Sequence, residues 1–159
     1  MNAELINMDV HIADLIPLAV ECMDRGQCVG IAVTGGSMTP FLLPGQVVYL
    51  RKPLSFPRKH DIVLVKRSDG QYMLHRVVIV TGSHLFLAGD AQSNIEGPFS
   101  SVDVLGTVET IIYGTHEVRA RSLPLIALSH LWVLLLAHRL KFRTPAAFAA
   151  RAMRFFYRR

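Results

Sequence analysis

From Val29 to about Arg121 the chain is a succession of short runs rich in Val, Ile, Leu and Tyr, each closed by turn-forming residues, and no helix-length segment separates them. Parallel strands need long crossover connections, usually helical, so this pattern excludes a parallel α/β sheet and with it a dinucleotide or P-loop fold. The runs are Val29 to Thr34, Gln46 to Arg51, Asp61 to Lys66, Tyr72 to Val80, His84 to Ala88, Val104 to Tyr113 and His116 to Arg121. Three of the gaps, Ser68-Asp69-Gly70, Thr81-Gly82-Ser83 and Gly114-Thr115, are short enough for antiparallel hairpins. The long stretch from Gly89 to Asp103 reads as irregular, and loops of that length are often functional.

Two flanking segments complete the chain. Between Val10 and Arg25, Ile12, Leu15, Ile16, Leu18, Ala19 and Met23 recur at helical spacing, with Gly26 as the stop. Leu125 to Ala137 is almost wholly apolar but shorter than the roughly 20 residues needed to cross a bilayer. It is followed, from His138 to Arg159, by seven Lys or Arg residues and no acid, a block that suits an anionic surface. The expected organisation is therefore an N-terminal helix over residues 1–28, a β domain over 29–122 and an apolar-then-basic helical tail over 123–159. A composition 51% hydrophobic and 18% charged excludes a disordered chain. Cys22 and Cys28 match neither a zinc nor a redox spacing and read as small buried residues. Met1 to Met8 lacks the basic start and apolar centre of an export signal, which points to the cytoplasm.

The chemistry concentrates in two strings. Thr34-Gly35-Gly36-Ser37-Met38-Thr39-Pro40 follows a strand directly, and two glycines before a serine free the backbone to expose the hydroxyl and aim amide N–H groups at a charge. Tyr72-Met73-Leu74-His75-Arg76-Val77-Val78 is a strand whose alternation sets His75 beside Met73 and Val77. A neutral imidazole can take the proton of a serine hydroxyl and so activate a poor nucleophile.

These strings, with Asp61-Ile62-Val63, Gly89-Asp90 followed by Glu96, and Val104-Leu105-Gly106, resemble signal peptidase I and its clan relatives, the self-cleaving LexA-type repressors. His75 stands where the usual bacterial signal peptidases have lysine, so the chain looks like the Ser-His branch found in archaeal and endoplasmic-reticulum enzymes. The resemblance implies a mainly β, partly closed antiparallel domain with one N-terminal and two C-terminal helices. It also implies a serine endopeptidase that cleaves a leader or signal-like peptide through an acyl-enzyme. Ser37 would be the nucleophile, His75 the base, Asp90 or Glu96 the orienting acid with Asp90 favoured, and Gly36 and Met38 part of the oxyanion hole or substrate site. No cofactor, metal or nucleic acid is expected.

The chain departs from the family pattern in three places. Gly35 replaces a hydroxyl residue that completes the oxyanion hole in many bacterial members, and Gln46 and His60 replace residues of two Gly-Asp turns. Two other readings stay open: an impaired peptide-binding module, and a LexA-type regulator, disfavoured because about 28 residues before the β domain cannot form a DNA-binding domain. The tail adds the expectation of peripheral attachment to an anionic membrane face, against packing on the β domain or on a second copy.

Overall fold

The structure, a computed structural model, describes residues 12–134. Helix α1 (Ile12–Asp24) leads into β1 (Val29–Ala32), β2 (Val47–Arg51), β3 (Ile62–Lys66), β4 (Tyr72–Thr81), β5 (His84–Ala88), β6 (Glu96–Phe99), β7 (Val104–Tyr113), β8 (His116–Arg119) and helix α2 (Leu123–Leu134). The strands form one open antiparallel sheet in the order β1-β2-β7-β3-β4-β5-β6. β8 continues from β7 as a hairpin, Thr110 opposite Arg119. The fold is mainly β, as the strand pattern predicts. A second C-terminal helix would lie outside the described residues.

The hairpins turn where the sequence marks them, with Gly82 (φ 57°) and Gly114 (φ 62°) in the left-handed region that suits glycine. The stretch from Gly89 to Asp103 is not irregular throughout. It contains β6, which pairs Glu96 with Leu87 and Phe99 with Leu85, and a 3-10 turn at Ser101–Asp103. A four-residue strand carrying Gly97 and Pro98 has little strand character in sequence, and proline is tolerated there because β6 is the sheet's edge.

Alternation along the central strands gives the sheet two apolar faces. One gathers Ile62 and Leu64 with Ile16 and Met23 of α1 and with Met38, Phe41 and Leu42 of the turn after β1. The other gathers Val63, Val65, Val77, Leu85, Leu87 and Val104. On α1 the residues Ile16, Ala19 and Met23 face inward while Leu15 and Leu18 are exposed. Cys28 is exposed and Cys22 half-buried, so the expectation that both are buried fails: Cys22 flanks the inward residue Met23, and Cys28 lies beyond the end of the helix.

Helix α2 packs on the β domain along one side. Leu125 enters the first core, Val133 meets Val78 and Ala88, and the Trp132 ring stands edge-on to Phe41 with centroids 5.8 Å apart. His130 stacks on His60 at 3.8 Å. His60 holds a left-handed backbone (φ 77°), a conformation costly for a residue with a Cβ. The stacking contact with α2 accompanies that conformation. The opposite side of α2 leaves Leu123, Leu131 and Leu134 exposed.

Candidate active site

Ser37 lies in the turn between β1 and β2, and its neighbours anchor that turn. Met38, Phe41 and Leu42 are no more than 1% exposed, and the Tyr113 hydroxyl donates to the Phe41 carbonyl at 2.7 Å. Because the Met38 side chain is spent on the core, only its backbone is left for an oxyanion. The amide N–H groups of Thr39 and Leu42 donate to the Gly36 and Met38 carbonyls, whereas those of Gly36, Ser37 and Met38 are taken by no hydrogen bond among the described residues. Gly35 and Gly36 are not in the left-handed region, and a Cβ on either would meet nothing closer than Thr39 Oγ1 at 3.9 Å. Their contribution is open space beside Ser37 rather than backbone freedom.

His75 is 4% exposed on β4, paired with Val63. Its alternation partners Met73 and Val77 pack in the second apolar face. One step past the Arg76–Ala88 pair, Gly89 faces His75 across the strands. A Cβ on Gly89 would lie 2.7 Å from the Ser37 carbonyl oxygen, 2.9 Å from Gln92 Oε1 and 3.1 Å from His75 Nε2. The Ser37 turn and the imidazole thus close on one point that only a glycine leaves free. Ser37 Oγ and His75 share no hydrogen bond here, and His75 Nδ1 is buried with no partner. Burial pushes the imidazole below its ordinary 6.5; Glu96 and then Asp90 pull it back up, and Arg67 pushes it down. A neutral imidazole at pH 7 follows, the form a general base needs.

The two acids fall on opposite faces. Arg76, next to His75, points to the other side of β4 and holds Asp90 through two hydrogen bonds, Nε to Oδ1 and Nη2 to Oδ2, both 2.7 Å. Each side chain of this pair is 3% exposed. Arg76 also donates to the His60 carbonyl at 3.1 Å and lies over the Phe41 ring at 4.5 Å. Glu96 instead pairs with Leu87, which pairs with Val77, so it shares the face of His75. Its carboxylate forms an ion pair with Arg67 at 3.1 Å.

Beside Ser37 runs a groove of about 880 Å³, bounded by Ile31 to Gly35 on one side and by Asp69 to Leu74 of the β3–β4 hairpin on the other. β1 is the sheet's edge, and its Ile31 and Ala32 line this groove. Another hollow, of about 680 Å³, lies away from Ser37 and His75 between Arg51, Glu109 and Arg121, whose charges largely pair locally. No cluster of three or more His, Cys, Asp or Glu side chains among the described residues could hold a metal ion. Sequence reasoning passed over the Arg76–Asp90 pair, although both residues stand inside quoted strings and carry opposite charges.

A mainly antiparallel open sheet preceded by a helix fits the LexA and signal peptidase group of serine peptidases. The chain belongs to the Peptidase S24-like family, whose model matches residues 4–109. That match runs from α1 into β7 and leaves β8 and α2 outside it. At family level this makes the chain of a serine peptidase or self-cleaving kind. No curated protein matches it.

Proposed function

We propose that the chain is an endopeptidase that cleaves an extended leader-like peptide through an acyl-enzyme on Ser37. The observation that carries this reading is the convergence of the Ser37 turn and His75 Nε2 on Gly89, beside a groove bordered by a free strand edge. A peptide added to β1 as a further strand would present its carbonyl to Ser37. His75 would take the hydroxyl proton as Oγ attacks and return it to the leaving amine, after which water repeats the cycle on the ester. The amides of Gly36, Ser37 and Met38 would receive the oxyanion, which dispenses with the hydroxyl missing at Gly35. Glu96 would orient His75 through Nδ1, since Asp90 is committed to Arg76 on the other face. The open space at Gly35 and Gly36 suits small residues before the cut.

The test is cleavage of a proteome-derived peptide library, with new termini read by mass spectrometry. Wild type should generate a consistent cut site, and Ser37→Ala and His75→Ala should lose at least about 10³-fold while melting close to wild type. Saturable peptide binding without cleavage would replace this reading by that of a peptide-binding module.

A membrane role for the tail is a second proposal, carried by the exposed Leu123, Leu131 and Leu134 on a helix with few polar residues. No described helix is long and apolar enough to cross a membrane. Apolar burial together with the basic residues 139–159 would favour the surface of an anionic, cytoplasmic leaflet. Vesicles rich in phosphatidylglycerol should bind the full chain at low salt and release it at high salt. Equal binding to neutral vesicles, or none to either, would overturn this proposal.

A further inference from the structure

We infer that Trp132 of α2 is a positioning residue for the nucleophile turn, acting through a single peptide group; this rests on the peptidase reading above. The Trp132 indole Nε1–H donates to the Asp90 carbonyl at 2.9 Å. The next atom along the chain, the Ala91 amide nitrogen, donates to the carbonyl of Ser37 at 2.8 Å. The Asp90 oxygen and the Ala91 nitrogen belong to one planar peptide unit, so fixing one end fixes the direction of the other. Trp132 thereby sets the plane of the peptide that holds Ser37 in place, and aligned hydrogen bonds through one amide reinforce each other.

Two further contacts make this a clamp rather than an isolated bond. The Trp132 ring stands edge-on to Phe41, four residues after Ser37, so the helix holds the nucleophile turn at a second point. The bridging peptide lies one residue beyond Gly89, whose missing side chain lets Ser37 and His75 approach. A shift of this peptide would move the Ser37 carbonyl and the cover over His75 together. Because α2 lies outside the family match at residues 4–109, this support is supplied by a part of the chain that the family model does not describe.

The experiment compares wild type with Trp132→Phe, which keeps an aromatic ring against Phe41 but removes the donor. A second replacement by benzothienylalanine, which has the shape of indole without its N–H, covers the case in which Phe leaves a cavity and unfolds the protein. Two quantities are read on folded protein: kcat and KM for a cleaved peptide, and the titration of the His75 ring followed by NMR. The expected result is a five- to tenfold loss in kcat, about what one neutral hydrogen bond supplies, with KM little changed and a displaced His75 titration. A structural role alone would lower the melting temperature and leave both unchanged per folded molecule, and that outcome overturns the inference. If wild type cleaves nothing while the His75 titration still moves in the variants, the positioning role stands and the peptidase reading falls.

Discussion

Asp90 and Glu96 separate cleanly by what their neutral amides would do. Asp90→Asn leaves the Arg76 guanidinium 3% exposed and without its counter-charge. Breaking a buried pair from one side costs about 3–5 kcal/mol, because the remaining charge has lost its solvent and its partner. Asn retains one acceptor oxygen, so the lower half of that range applies. For a domain of this size, each kcal/mol lowers the melting temperature by roughly 3–5 °C, giving a fall of about 9–20 °C. Glu96→Gln acts on a pair whose side chains are 25% and 40% exposed, where solvent screening holds the loss to about 1 kcal/mol or less. Its effect should appear in catalysis instead, as a loss of about 10²-fold or more in kcat at unchanged fold. Circular dichroism melts and peptide cleavage per folded molecule measure both. A double variant with Arg76→Met and Asp90→Leu should recover part of the stability that Asp90→Asn loses. If Asp90→Asn melts like wild type and is inactive, while Glu96→Gln cleaves normally, Asp90 orients His75 and the division of the acids by sheet face is wrong.

Gly89→Ala should abolish most cleavage and lower the melting temperature, since its methyl would meet the Ser37 backbone carbonyl at 2.7 Å; a crystal structure with Ser37 unmoved and activity intact would count against the convergence. The pH profile of kcat/KM should rise with an apparent pKa below 6.5, because burial lowers His75, and Glu96→Gln should shift that limb further down by removing its largest upward influence. A limb above pH 8.5 would instead indicate a lysine base, Lys66 being the candidate in sequence. His60 titrates at about 4, lowered by burial and then by His130, Lys59 and Arg76, with Asp61 opposing. The unfolded chain binds this proton more readily, so the stability it contributes is complete above pH 6.5 and is lost as pH falls toward about 4. After allowance for solvent screening that is about 1–2 kcal/mol, measurable by urea melts at pH 7.5 and 4.5, and His60→Gly should shrink the difference.

The strands were legible in sequence because β-branched runs between turn residues have few other uses, and Ser37 and His75 because each sits in a string with a chemical rationale. β6 was not, since Gly97 and Pro98 occupy half of it and its pairing is decided by the edge of β5 rather than by its own propensity. That omission hid the face on which Glu96 lies, and left the shorter side chain of Asp90 favoured over a glutamate whose extra methylene would need room. The pairing of Asp90 with Arg76 depends on a contact between the middle of β4 and the loop after β5, 14 residues apart, which no local pattern encodes. Helix α2 was visible as an apolar segment, but with apolar residues all round, its packed side could not be distinguished from its exposed one until Trp132 and Leu125 were seen against the sheet.

The central claim is a covalent intermediate on Ser37. Acid-quenching the enzyme within milliseconds of mixing with a cleaved peptide, followed by digestion and mass spectrometry, reads it directly. In wild type the digest peptide containing Ser37 should carry the added mass of the substrate's N-terminal fragment, and the adduct should be absent from Ser37→Ala and strongly reduced in His75→Ala. Undiminished cleavage by Ser37→Ala, or an adduct mapped to another residue, would contradict that claim.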